Sequence, residues 1–220
     1  MSQIFDFYTQ AELAFAAYAD LLPDVDPVPA LTRNTVGMSQ SQAERFARDW
    51  RVVGTPYDDP ITGVHATVFQ AVEGGQKYLA IRGTQGATDF LADYFILNGT
   101  PSQLNPQYMS LKTKVQAWLG DGTLTAGFTV AGHSLGGYLA AGLVADFSSS
   151  IDHAYLYNAP GNNSLVSVIM QALGIAAVPD ASKITSLRAD AGISPIAALG
   201  NDFSPPIPIL IENQFLSDVS

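Results

Sequence analysis

The chain has 220 residues, 47% of them hydrophobic and 14% charged, which is apolar enough to bury the core of one domain and too poor in charge for a disordered chain. Its net charge of −10, from 20 acidic and 10 basic residues, excludes the basic footprint that nucleic acid requires and gives little attraction to anionic membranes. There is no cysteine, which excludes disulfides and thiolate metal sites, and no apolar run is long and clean enough to span a bilayer.

The start, Met1-Ser2-Gln3-Ile4-Phe5-Asp6, lacks the basic opening of a secretory signal. Residues 4–22 set Ile4, Phe5, Tyr8, Leu13, Phe15, Tyr18 and Leu22 among alanines, which predicts an amphipathic helix packed on the domain. The proline-rich stretch 22–29 reads as a linker. A second helix is predicted over 39–52, capped by Ser39 or Ser41, with Phe46 and Trp50 sharing a face. Together these make an N-terminal helical part, 1–55, packed on a single domain that spans 1–220.

Residues 64–72 and 77–82 read as two strands of a hairpin joined by Glu73-Gly74-Gly75-Gln76. A loop follows over 83–86. A short amphipathic helix is expected over 88–95, with Asp89 and Asp93 on one side. A longer one over 106–119 ends at Gly120-Asp121-Gly122. Residues 128–131 form a short apolar strand and 138–147 a helix. Strands are predicted over 154–158 and 183–188, with a helix between them over 164–173. The prolines near 208–212 mark a last, edge strand. Strands alternating with helices predict an α/β fold, a mostly parallel central sheet with helices on both faces.

Between the strand at 128–131 and the helix after it stands Gly132-His133-Ser134-Leu135-Gly136-Gly137. Gly-x-Ser-x-Gly at a strand-to-helix turn is the context of a nucleophile elbow. The serine must project on a very tight turn, and Gly132 and Gly136 remove side chains that would strike the flanking strand and helix. Gly137, Ala140 and Ala141 let the helix lie close to the sheet. The N–H of Leu135 points where an acyl oxyanion would form. The alternative is a glycine-rich turn whose serine caps the helix.

Residues 78–84 (Tyr-Leu-Ala-Ile-Arg-Gly-Thr), 89–93 (Asp-Phe-Leu-Ala-Asp), 132–137 and 157–161 (Tyr-Asn-Ala-Pro-Gly), in that order, resemble the class 3 lipases of the α/β-hydrolase superfamily. The likeness covers roughly residues 60–200. Segment 39–69 also resembles the N-terminal part of bacterial exported lipases that carry calcium-binding repeats, although no such repeat occurs here. The family resemblance implies an α/β-hydrolase fold with Ser134 as nucleophile. It also implies that Thr84, after Arg82-Gly83, completes the oxyanion hole with Leu135. Each such donor supplies roughly 3 kcal/mol of transition-state stabilisation. The bland reading of Arg82-Gly83-Thr84 is a turn with a surface arginine. Phe90, Leu91, Tyr94, Phe95, Ile96 and Leu97 occupy the family's lid position, as a flap over the serine or as a helix packed permanently on the domain.

The acid of the triad is expected after a later strand. Asp190 comes directly after Ile184–Ala189 and after Ser134 in the chain, as α/β-hydrolases require. Its other reading is a turn cap at Ile193-Ser194-Pro195. The family places its histidine after the aspartate, yet His65, His133 and His153 all precede Asp190. His133 should point away from the serine hydroxyl. His65 reads as a sheet residue, and His153 as an exposed one at the opposite end of the sheet. A serine without a base is a poor nucleophile. The expectation is therefore that the polypeptide continues past Ser220 and supplies a histidine, or that a partner fragment does. The function implied is a serine carboxylic-ester hydrolase acting on triacylglycerol or a related lipid ester at an interface, with phospholipase A1-type or polyester hydrolysis as alternatives. A catalytically dead module that binds lipid or a partner is the reading of another class. No cofactor and no metal are called for. Secretion without an N-terminal signal is expected, with a cytoplasmic location as the alternative.

Overall fold

The computed structural model describes residues 3–33, 36–83, 104–159, 179–189 and 203–209. The helices expected over 88–95 and 164–173 and the lid segment lie outside them. Helix α1 (Gln3–Ala16) stops well short of residue 22. The Tyr18 and Ala19 amides bond only three residues back, to Phe15 and Ala16, which tightens and ends the helix. Pro23 disfavours helical backbone at Leu22 and could not donate to Ala19. The expected linker holds one helical turn, α2 (Val28–Leu31), which tolerates Pro29 in its first turn because an N–H there has no intrahelical partner. Helix α3 (Gln40–Asp49) opens on a reciprocal cap: Gln42 N–H donates to Ser39 Oγ and Ser39 N–H to Gln42 Oε1.

Trp50 corrects the helix expected over 39–52. It leaves α3 with extended backbone and begins strand β1 (Trp50–Val52). The β1 ladder, Trp50 opposite Ala71 and Val52 opposite Phe69, wins over the local i, i+4 pattern. The Phe46–Trp50 contact survives, with ring centroids 6.5 Å apart. Strand β2 (Tyr57–Asp58), which no sequence signal marked, also pairs with β3 (His65–Ala71). The predicted hairpin forms between β3 and β4 (Lys77–Ile81), antiparallel, with Gln70 opposite Lys77.

From β4 onward every pairing is parallel. The strands β4, β5 (Phe128–His133), β6 (Ile151–Tyr157), β7 (Ile184–Ala189) and β8 (Ile207–Ile209) lie in that order, with β8 at the edge. The described residues thus form an eight-stranded, mostly parallel sheet.

Alternation along each strand separates two faces. On one, Val68, Leu79, Ile81, Phe128, Val130 and Leu156 pack under α4 (Leu104–Asp121) and α5 (Leu135–Asp146). Helix α4 lays down Tyr108, Leu111, Val115 and Trp118 at helical spacing. Helix α5 is buried along nearly its whole length, as a helix apolar on all sides must be. On the other face, Phe69, Ala80, Ala131, Tyr157 and Leu187 lie under α1 to α3. Edge-to-face rings lock that side: Phe46 on Phe69 at 5.5 Å, and Trp50 on Tyr78 at 5.0 Å. Among the described residues no helix is long and apolar enough to cross a membrane.

Candidate active site

Ser134 stands alone between β5 and α5 at φ 55°, ψ −126°. Left-handed backbone on a non-glycine residue costs on the order of 1–3 kcal/mol and persists only where the surroundings enforce it. They do so here. Ser134 N–H donates to the Tyr157 carbonyl at 2.9 Å, and the Ser134 carbonyl accepts from Gly137 N–H at 3.0 Å. A Cβ on Gly132 would overlap the Gly136 backbone, and one on Gly136 would overlap the Ile81 carbonyl. One on Gly137 would stand 2.8 Å from Ala159 Cβ. The glycine spacing read from the sequence is thus a steric requirement of the turn.

The Ser134 side chain makes no cap hydrogen bond to α5, which removes the capping alternative. Residue 134 is 4% exposed, and its Oγ has no hydrogen-bond partner among the described residues. Leu135 opens α5, so its N–H is one of the first-turn donors that a helix leaves without an intrahelical partner. Thr84 and Asp190 lie outside the described residues. Their approaches are defined. Strand β7 ends at Ala189, as expected of the strand before Asp190. Gly83 abuts the elbow so closely that an added Cβ would stand 3.1 Å from Ser134 Cβ.

None of the three histidines hydrogen-bonds Ser134. His133 turns to the α1 face, where its Nδ1 lies 2.9 Å from the Tyr18 hydroxyl; burial lowers its pKa. His65 is a buried sheet residue, its Nδ1 3.4 Å from Asp58. Burial lowers its pKa too, helped by the nearby Arg82 charge and opposed by Asp58. His153 lies at the opposite end of the sheet, as expected, but it is half-buried rather than exposed, with Nε2 2.7 Å from Thr185 Oγ1. Arg82 is no surface arginine: its side chain is mostly buried and faces Asp58 at 3.9 Å, while its N–H donates to the His65 carbonyl.

Two residues of this region carried no sequence signal as site residues. Asn158, at φ 47°, donates its N–H to the Leu187 carbonyl and accepts at Oδ1 from Ala189 N–H, tying the ends of β6 and β7 together. Tyr18 read only as an apolar position of the first helix, yet its hydroxyl accepts from Gly83 N–H at 3.1 Å. Beside the elbow, between α1 and the ends of β5 to β7, lies an apolar cavity of about 320 Å³. His133, Asn158, Leu187 and Phe15 are among its walls, and Ser134 is not.

Solved structures share this fold. A point mutant of MDLA from Penicillium cyclopium is 17% identical over 97% of this chain and 83% of its own, with a TM-score of 0.62. The nonglycosylated LIP2 lipase of Yarrowia lipolytica is 18% identical over 86% and 72%, at 0.55. A triacylglycerol lipase described as having a serine protease triad for its catalytic centre is 17% identical over 86% and 72%, also at 0.55. The fold is that of a lipase-like α/β-hydrolase. At these identities the likeness shows the fold alone. Penicillium and Yarrowia are fungi, so the nearer likeness to bacterial calcium-repeat lipases gains no support. No protein-family model matches the chain, and no curated protein does.

Proposed function

We propose that this chain is a serine carboxylic-ester hydrolase for lipid esters, triacylglycerols in the first place. The observation that carries the reading is Ser134 held at φ 55° on a glycine-cleared turn, its hydroxyl without a hydrogen-bond partner among the described residues. Oγ attacks the ester carbonyl while a base takes its proton. The tetrahedral oxyanion is held by the Leu135 and Thr84 amides. The alcohol leaves with that proton, and water then hydrolyses the acyl-enzyme. Asp190, next after the end of β7, orients the base. The base is an imidazole other than His65, His133 and His153, each of which is engaged elsewhere or remote. An apolar substrate at an interface suits the apolar cavity beside the elbow. Export accords with the acidic, cysteine-free composition.

A second reading has one specific observation behind it. Because Ser134 Oγ meets no imidazole among the described residues, the same fold would serve as a non-catalytic module that binds lipid. A fluorophosphonate probe separates the two. Covalent labelling of the full chain that disappears in Ser134→Ala supports the hydrolase. Unlabelled wild type, still cooperative on melting, leaves the binding module.

A further inference from the structure

Tyr18 lies just beyond the end of α1 and carries its hydroxyl to the elbow. That oxygen accepts from Gly83 N–H at 3.1 Å and stands 2.9 Å from His133 Nδ1. A phenol has one proton to donate, and the backbone amide already occupies an acceptor position. On the line to His133, the arrangement that uses that proton has Tyr18 donating and Nδ1 accepting; a protonated Nδ1 donating to the phenol oxygen is the other arrangement, and the ring nitrogen shifts distinguish them. In the first, His133 is the neutral tautomer with its proton on Nε2. The corner is tightly closed. A Cβ on Gly83 would stand 2.7 Å from the Tyr18 hydroxyl, 2.8 Å from the His133 carbonyl oxygen and 3.1 Å from Ser134 Cβ. The Tyr18 and His133 rings meet edge-on at 6.0 Å. One oxygen thus touches the residue before Thr84 and the residue before Ser134.

We infer that Tyr18 is a positioning residue, whose hydroxyl sets the separation between the Gly83 backbone and the His133–Ser134 elbow. It thereby sets the backbone that leads into Thr84 against the turn that carries the nucleophile. The inference rests on the ester-hydrolase reading, since a binding module has no oxyanion to meet. Its physical weight comes from the geometric tolerance of such sites: donors are effective only near hydrogen-bond distance of the developing charge, and a displacement of about 1 Å can cost about a hundredfold in rate.

The test is Tyr18→Phe in the full chain, which keeps the ring and removes the oxygen. The expected result is a fall of roughly ten- to a hundredfold in the fluorophosphonate labelling rate and in kcat on a soluble p-nitrophenyl ester, with KM within about twofold. A role confined to stability would lower the melting temperature and leave kcat of the folded enzyme unchanged. Nitrogen-15 shifts of the His133 ring give a reading independent of activity. Wild type is expected to show an unprotonated Nδ1 and a protonated Nε2, a bias lost in Tyr18→Phe. A folded variant that labels as fast as wild type overturns the positioning role and leaves the hydrolase standing. Wild type that does not label at all overturns the hydrolase and the positioning role with it. If Tyr18→Phe fails to fold, His133→Leu, which removes the hydroxyl's partner at the elbow, is measured instead: a folded variant that labels as fast as wild type overturns the inference, and a slowed one with unchanged KM sustains it.

Discussion

A single hydroxyl at position 134 is kept at a cost to the fold. It is buried and has no hydrogen-bond partner among the described residues, and its residue occupies backbone that suits glycine. Burying a hydroxyl without a hydrogen bond costs about 1–3 kcal/mol. Ser134→Ala is therefore expected to raise stability by about 1 kcal/mol while abolishing labelling, an exchange of stability against function measurable in one denaturant titration. A loss of stability instead would mean that Oγ makes a bond of value in the folded state. The neighbouring glycine is expected to behave in the opposite way. A methyl group at residue 136 meets the β4 backbone rather than a flexible side chain, so nothing nearby can yield cheaply. Gly136→Ala should destabilise by on the order of 3 kcal/mol, at the upper end of overpacking effects, or prevent folding. Chemical denaturation against Gly127→Ala, a site with open space but positive φ, separates collision from backbone strain.

Among the elements, the N-terminal helices cover one sheet face, and their attachment is specific. Arg45 of α3 binds Glu12 and the Tyr8 hydroxyl of α1, so the two helices are tied to each other as well as to the sheet. The α3 cap satisfies two backbone donors through one pair of side chains. Ser39→Ala should cost about 1 kcal/mol, read as a lowered denaturation midpoint with an unchanged slope. On the other face, the β2–β3 turn is braced on α4. Ser110 and Thr62 hydroxyls donate to Asp59 and hold its carboxyl down at about 2, from an ordinary 3.8. A depressed carboxylate stabilises the fold above its unfolded value, and that contribution is lost as pH falls from about 3.8 through about 2. Asp59→Asn should flatten the acid limb of a stability-against-pH curve in that window; an unchanged limb would show that the brace carries no linkage.

For the molecule as a whole, all three histidines respond to pH in one direction. Burial is the first cause in each, and each lies below the ordinary 6.5. Below pH 6.5 the unfolded chain takes up protons that the folded imidazoles refuse. Stability is therefore full above pH 6.5 and declines as pH falls through the lower folded values. Denaturation midpoints at pH 7.5 and 5.5 check the sign, and a midpoint that rises on acidification would contradict it. The His133 share of this decline belongs to the elbow itself, since a second ring proton would take away the acceptor that Tyr18 uses.

Much of this was legible in the residues alone, for a local reason. Strand periods of two, the helical spacing of Tyr108, Leu111, Val115 and Trp118, and the glycines around Ser134 are constraints that act within a few residues, so β3, β4, β5, α4 and the elbow stand near where the sequence placed them. Local rules misjudged Trp50, because strand pairing with Ala71 outweighs an i, i+4 contact, and they missed β2, whose partner is the only thing that makes it a strand. Asn158 drew notice only as part of a motif, and its tie to Ala189 depends on β6 lying beside β7. Tyr18 meets His133 across 115 positions of chain, a contact created only when α1 packs on the finished sheet. What the chain wrote into neighbouring residues, sterics and period, could be read directly. What it wrote into distant pairs required the fold, because a hydrogen bond between two segments exists only once packing has brought them together.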